Sequence, residues 1–327
     1  MSTVDSWTRA ETEVLTWSMR RAPSVHNTQP WLLEVAPGEL VVRERSGPVL
    51  PHHDPDGRDR AASCGAAVAN LELAVRTLGR AAEVAFLPGR AQPDVVARIA
   101  VGGQAAPSTE ELRRHGAIAR RASHRAPFEG VAVPAPVTHR IVAAGGAPGV
   151  EARPVRPGRE VATVARLLRF AAESFRRDGA YQRELSLWTI RDEHAHHHGV
   201  GVPASRIPAG SLPWAGLVRR ATEIPEQPEL ERRLAAETLL LVVTADDARL
   251  DHVRAGYALE RAWLAAVGLG LAAAVLTQPL HLPEVRSALC EDLGLTGFPQ
   301  ALMRIGYAAE EDPESPRRAG EEVLRRR

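Results

Sequence analysis

The chain has 327 residues, 44% of them hydrophobic, and its 41 basic and 40 acidic side chains leave a formal charge of +1. Every basic side chain is arginine, so no lysine exists for a Schiff base, a phosphate-loop NTPase or a protein kinase. The balanced, interspersed charge argues against a nucleic-acid binder, and the missing lysine reflects codon bias in an Ala-, Arg-, Gly- and Pro-rich chain.

The N-terminal stretch MSTVDSWTRAETEV lacks the apolar region of a secretory signal, and the most apolar run, residues 262–276, is too short to span a bilayer. A cytoplasmic protein with reduced Cys64 and Cys290 is therefore expected, with no membrane partner. A first helix is predicted over residues 8–21. Next, residues 22–31 crowd Ser24, Asn27 and Gln29 between Pro23 and Pro30, a rigid loop suited to a heteroaromatic ring. A hairpin follows, with strands over 31–36 and 39–45 joined by a Pro-Gly turn. His52-His53-Asp54-Pro55-Asp56-Gly57 is one residue short of an acyl-transfer pattern and reads as a turn.

Residues 64–84 predict a helix of small and apolar residues that ends at a glycine and leads into a strand over 83–88. A strand at 97–102 precedes a helix opened by a capping box of Ser108 and Glu111. Arg121, Ser123 and Arg125 alternate along an extended segment, which puts three anion-binding groups on one side. Guanidinium groups can hold a phosphate there without lysine. A strand near 149–155 and a helix near 161–176 come next. Residues 177–228 are broken by proline and glycine, a length that suggests a functional cover. Within it, His194, His196, His197 and His198 read as a solvated loop, not a metal site. The chain then predicts a strand at 238–245, a helix at 251–271 and strands at 274–277 and 303–308. Gly268-Leu-Gly270-Leu-Ala-Ala273 fits GxGxxA, but it follows a helix and precedes a strand, the reverse of a dinucleotide site.

An internal repeat links the two glycine-containing helices. Residues 64–84 and 255–275 align without gaps at an offset of 191, with Gly65/Gly256, Ala67/Ala258, Leu73/Leu264 and Gly79/Gly270 among nine identities. The chain therefore reads as two related halves.

APSVHNTQPW, residues 22–31, closely resembles the APSxxNxQPW motif of the FMN-dependent nitroreductase superfamily. Arg121-Ala-Ser123-His-Arg125 followed by Phe128 resembles that superfamily's RRSxRxF motif. The motifs stand in reversed order and about a hundred residues apart, which matches the Acg-type branch, where two degenerate nitroreductase halves share one chain. The likeness extends over DPDGR, both glycine helices and the IGYA ending. It implies an α+β fold of antiparallel sheets wrapped by helices, with halves at 1–112 and 113–327 and a lid-like insertion at about 177–228. The two halves would mimic a nitroreductase dimer, with the Gly65 and Gly256 helices packed at its centre and no second chain needed.

The resemblance further implies one FMN site per chain. Arg121, Ser123 and Arg125 would hold the phosphate, assisted by Arg317 and Arg318. Pro23, Ser24, Val25, Asn27 and Gln29 would meet the ribityl chain and ring, and Gln278, Pro279 and Leu280 would run past the flavin. Hydride from NAD(P)H would pass to FMN N5 and then to a nitroaromatic, quinone or other small acceptor, without a catalytic side chain or a metal. Two other readings fit the same site. One is a flavin-storage protein with little turnover, its ring covered by Trp188 or Trp214; the other is a specialised biosynthetic flavoenzyme.

Overall fold

Small side chains at two helical positions set the architecture. In the computed structural model, which describes residues 7–47, 50–87, 92–191, 199–207, 217–310 and 312–325, two 20-residue helices cross in the interior. The elements before the second of them are α1 (Arg9–Arg20), β1 (Trp31–Ala36), β2 (Glu39–Glu44), α2 (Arg58–Thr77), β3 (Arg80–Phe86), β4 (Val95–Gln104), α3 (Thr109–Ala117) and α4 (Ala135–Ala144). They continue with β5 (Val150–Pro154), α5 (Arg159–Arg177), α6 (Gly179–Leu187), β6 (Thr189–Ile190), β7 (Val202–Pro203), α7 (Gln227–Ala235) and β8 (Thr238–Thr244). The remainder is α8 (Arg249–Gly268), β9 (Ala272–Leu276), α9 (Pro283–Leu293), β10 (Phe298–Gly306) and α10 (Gly320–Val323).

The glycine helices of the repeat are α2 and α8, and they touch reciprocally. A Cβ on Gly65 would lie 1.9 Å from the Val253 carbonyl oxygen, and one on Gly256 would lie 1.8 Å from that of Ala62. Ala62 and Val253 are themselves partners at the repeat offset of 191, so each helix presents the same pair of positions to the other. Only glycine permits this approach of backbone to backbone.

The two four-stranded sheets have corresponding orders, β1-β2-β4-β3 and β5-β8-β10-β9, and every pairing in them is antiparallel. In the second sheet β8 is buried on both faces. Leu239, Leu241 and Val243 join a core with α5, α7 and α9, while Leu240 and Val242 join α8. A strand with apolar contacts on both faces reads as a continuous apolar run, which is why TLLLVVT shows no alternation.

The chief departure from symmetry lies in one connection. β1 and β2 are joined by a tight turn at Gly38, with φ +70°, whereas α5, α6, β6, β7 and α7 all intervene between β5 and β8. The expected insertion at about 177–228 falls inside this connection, whose flanks are ordinary helices that pack on the sheet. The expected boundary at residue 112 falls inside α3, which packs on both α2 and α8. After β10 the chain crosses back, and Val323 enters the core beneath the first sheet while Arg325 N–H donates to the Leu33 carbonyl. No helix among the described residues is long and apolar enough to cross a membrane.

Candidate functional site

A cleft of about 1140 Å³, counting its open mouth, lies where the segments flanking α2 and α8 meet the insertion. One wall is the loop between α1 and β1. Its backbone is unusual: His26, Asn27 and Gln29 have φ of +44°, +56° and +50°. Non-glycine residues held there cost on the order of 1–3 kcal/mol each and persist only where surrounding contacts enforce them. Those contacts are visible. Gln29 N–H donates to Ser24 Oγ at 3.0 Å, and Val25 N–H donates to Ser63 Oγ of α2 at 3.1 Å. The Asn27 amide nitrogen reaches the carbonyls of Gly199, Gly201 and Pro316 at 3.1, 3.2 and 2.9 Å. Gln29, fully buried, donates to Gly199 O at 2.7 Å and accepts from Arg318 N–H at 3.0 Å.

The opposite end is built by residues 121–125. This segment is extended and docks on β9 through a bridge from Ser123 to Ala273, with His124 N–H donating to Ala273 O at 3.0 Å. Alternation then turns Arg121, Ser123 and Arg125 to the cleft. His124 turns away, to Asp312 at 3.0 Å and to the Phe128 ring at 4.9 Å. Arg121 lies 4.6 Å above the buried Trp263 ring and donates to the Arg21 carbonyl at 2.9 Å. Arg206 from the insertion and Arg317 from the C-terminal segment complete a basic lining.

Burial is costly for these cations. It pushes Arg125 down to about 10 and Arg317 to about 9, and the neighbouring arginines add to the shift. The Nε atoms of Arg121, Arg125 and Arg317 are buried without a hydrogen-bond partner. Glu260 of α8 lies beneath them, 3.4 Å from Arg121 Nε but not aligned with it as a hydrogen bond. Burial raises its carboxyl to about 8 although Arg121 and Arg317 oppose the rise, so it is mostly protonated at neutral pH. Such a surplus of buried positive charge suits an anion.

At the inner end, His26, His53, Asp59, Thr277 and Gln278 line the cleft. Asp59 Oδ2 stands 3.2 Å from His53 Nε2 and 3.1 Å from His281 Nε2, and it accepts from Thr277 Oγ1 at 2.6 Å. Burial alone would raise the Asp59 carboxyl, but His281 and His53 hold it well below the usual carboxylate range. Burial also drives His26 well below its ordinary value, leaving it neutral.

No family model matches the chain. Rv3131 of Mycobacterium tuberculosis, a protein provisionally named an NAD(P)H nitroreductase, is 32% identical over 323 residues, covering 95% of this chain and 90% of that one. The chain belongs to the Acg-type branch of the nitroreductase family. Acg of the same organism, which bears the same provisional name, is 29% identical over 93% of this chain and 92% of its own. Similar solved structures include a Bacteroides fragilis nitroreductase with bound FMN, at 16% identity and TM-score 0.39, covering 63% of this chain and 94% of that one. Another is a BluB-like flavoprotein from Clostridium difficile, at 14% identity and TM-score 0.42, covering 64% and 95%.

Of the residues that the nitroreductase motifs single out, Pro23, Ser24, Val25, Asn27, Arg121, Ser123, Arg125, Gln278 and Arg317 line the cleft. Four others lie elsewhere. Gln29 faces the insertion and the C-terminal segment, and Arg318 offers its backbone N–H to Gln29. Pro279 and Leu280 line a separate apolar cavity with Val285 and Leu289, where Arg58 donates to the Leu280 carbonyl at 3.0 Å. Residues 278–281 form a 3-10 turn, whose successive side chains point about 120° apart, so Gln278 alone meets the cleft. Trp188 does not line the cleft, and Trp214 lies outside the described residues.

Sequence reasoning missed Arg206, Glu260, Trp263 and the His53–Asp59–His281 group. Glu260 carried one signal, an acid in the middle of a helix whose other residues there are mostly small or apolar.

Proposed function

We propose that the cleft binds FMN and that the protein is an NAD(P)H-dependent flavin oxidoreductase. The observation that carries this reading is the convergence of Arg121, Ser123, Arg125 and Arg317 on one end of a cleft whose other wall is the strained 23–27 loop. A phosphate dianion would supply the counter-charge that the buried guanidinium groups lack, through bidentate hydrogen bonds. The flat apolar surfaces of Ala62, Ala66, Leu259, Ala274 and Val275 suit a ring system between the loop and β9.

Bound FMN supplies the redox chemistry, taking hydride from a nicotinamide and returning electrons to a small acceptor such as a nitroaromatic or quinone. The chain's own residues anchor the phosphate, shape the ring pocket and exclude water. The loop comes from before β1 and the arginine segment from before β5, so each half provides one part of a single site. The link from α4 to β5 is only residues 145–149, against residues 21–30 between α1 and β1, which leaves the mirror position without an equivalent loop.

FMN titration of the purified chain, followed by anaerobic mixing with NADH or NADPH, tests both claims. The expected result is one flavin per chain and loss of the flavin's visible absorbance with at least one nicotinamide. Two flavins per chain would overturn the single-site reading, and no FMN binding would overturn the whole proposal. A flavin that binds but resists both nicotinamides would leave the storage reading in its place. One feature favours that second reading: Gly201, Val202, Pro203, Arg206 and Leu217 of the insertion line the cleft together with residues of α2 and α8.

A further inference from the structure

The flavin reading leaves one group of side chains unused. One ligand atom from each of His53, His281 and Asp59 lies within 4.8 Å of the other two, on side chains 3, 6 and 7% exposed. They come from three separate places: the turn after β2, the first turn of α2, and the 3-10 turn after β9.

We propose that His53, Asp59 and His281 form a binding site for a divalent cation of the zinc class. Two imidazoles and a carboxylate are a donor set that zinc takes when three protein ligands leave a further position open. The spacing agrees. Zinc bonds of roughly 2.0–2.1 Å in a tetrahedron put neighbouring ligand atoms about 3.3 Å apart. The two measured edges, His53–Asp59 at 3.2 Å and His281–Asp59 at 3.1 Å, are close to that.

The surroundings hold the backbone at His53 and the carboxylate of Asp59, although His53 Nδ1 itself is buried without a hydrogen-bond partner. Glu184 of α6 accepts from the backbone N–H groups of His52 and His53 at 3.0 and 2.8 Å, which fixes the turn carrying His53. Thr277 Oγ1 donates to Asp59 at 2.6 Å and holds its carboxylate. A second observation points to a missing partner. His26 is 5% exposed, its Nε2 has no hydrogen-bond partner, and its ring centroid is 4.4 Å from that of His53. His53 and Asp59 line the cleft, so the remaining coordination position would open on it, to water or to an oxygen of a bound molecule. Because His281 follows β9 and the other ligands precede or begin α2, the ion would also cross-link the two halves.

The probe is cobalt(II), whose visible bands report coordination geometry. To exclude any contribution from the histidine run at 194–198, the titration uses the full chain with His194, His196, His197 and His198 replaced by alanine. One equivalent of cobalt should give the intense visible bands of a four-coordinate site, and zinc should abolish them by displacement. His53→Gln and His281→Gln, which keep a hydrogen-bonding side chain beside Asp59, should each lose those bands while keeping the parent's far-ultraviolet circular dichroism. Absence of the bands at millimolar cobalt would overturn the proposal. So would their persistence in both glutamine variants, because the ion would then lie elsewhere. If either variant fails to fold, Asp59→Asn replaces it, with the same loss expected and the same persistence decisive against the site. The assay contains no flavin and no nicotinamide, so its failure leaves the flavin reading untouched.

Discussion

The neighbourhoods of α2 and α8 share a scaffold but not a site. Both helices are 20 residues long, both lead into an edge strand of their sheet, and each buries its glycine against the other's backbone. Yet the strained loop belongs to the first half, while the arginine segment and the long insertion belong to the second. Packing therefore preserves what both halves need, since losing either glycine would separate the helices. Nothing in packing requires two cofactor sites, so the loop and the arginines can each survive once.

The symmetric part should be the most sensitive to change. Gly65→Ala and Gly256→Ala each place a Cβ within 2 Å of a carbonyl oxygen, and neither helix can yield without moving backbone. Each should cost about 3 kcal/mol or more, measured by chemical denaturation. Similar costs at the two positions would support the reciprocal contact; a near-neutral result at one would show the crossing to be lopsided. Gly116→Ala, with nothing within 4 Å of its Cβ, is the control and should stabilise α3 by roughly 0.5–1 kcal/mol.

The asymmetric part predicts loss of ligand with little loss of fold. Arg125→Ala should weaken FMN binding about ten- to a hundredfold, the range for a charge-assisted hydrogen bond of roughly 1.5–3 kcal/mol. Isothermal titration reads the change directly. An unchanged affinity would move the phosphate away from the second half and dissolve the contrast drawn above.

Glu260 sharpens the electrostatics. Its folded pKa, about 8, is above the unfolded value, so the folded state binds the proton more tightly. That contribution is full below the unfolded pKa near 4.5 and is lost as pH rises toward 8. Glu260→Gln should therefore raise the melting temperature of the ligand-free chain at pH 8 more than at pH 5. It should also flatten the fall in FMN affinity expected as pH rises through 8, where an ionised Glu260 competes for Arg121. The arginines act in the same direction, because Arg317 near 9 and Arg125 near 10 are less secure in charge than arginine usually is.

What the sequence disclosed followed from locality. The α1 helix, the β1–β2 hairpin, the capping box at Ser108 and the alternation of Arg121, Ser123 and Arg125 rest on neighbours a few residues apart. The glycine helices were legible because a repeat displays them twice. What stayed hidden depends on distant chain segments. Nothing in the spacing of His53, Asp59 and His281 announces that they meet, since more than 200 residues separate the third from the others. The 3-10 turn rotates the Leu280 side chain into the apolar core, a local geometry that its two-proline neighbourhood did not reveal.

Asn27, which lines the cleft, and Gln29, which does not, are more instructive. Their place in the motif suggested contact with the flavin ring, but their amides are spent on Gly199, Gly201, Pro316 and Arg318. They act as a latch that fastens the insertion and the C-terminal segment to the first half. Asn27→Ala removes three such contacts and the bond from Arg317 to Asn27 Oδ1 at 3.2 Å, while leaving Arg121, Arg125 and the Ser24 hydroxyl in place. It should destabilise the whole fold only by about 1–2 kcal/mol, the scale of a few partly buried hydrogen bonds. Local opening should grow more, because the strands of the insertion next to the latch are two residues long and pair with each other in a separate two-stranded sheet. Hydrogen exchange at residues 199–203 should accelerate in the variant while α2 and α8 stay protected. Flavin dissociation should accelerate in parallel, since the same residues wall the cleft. Faster exchange without faster dissociation would mean that the insertion covers the cleft without controlling it.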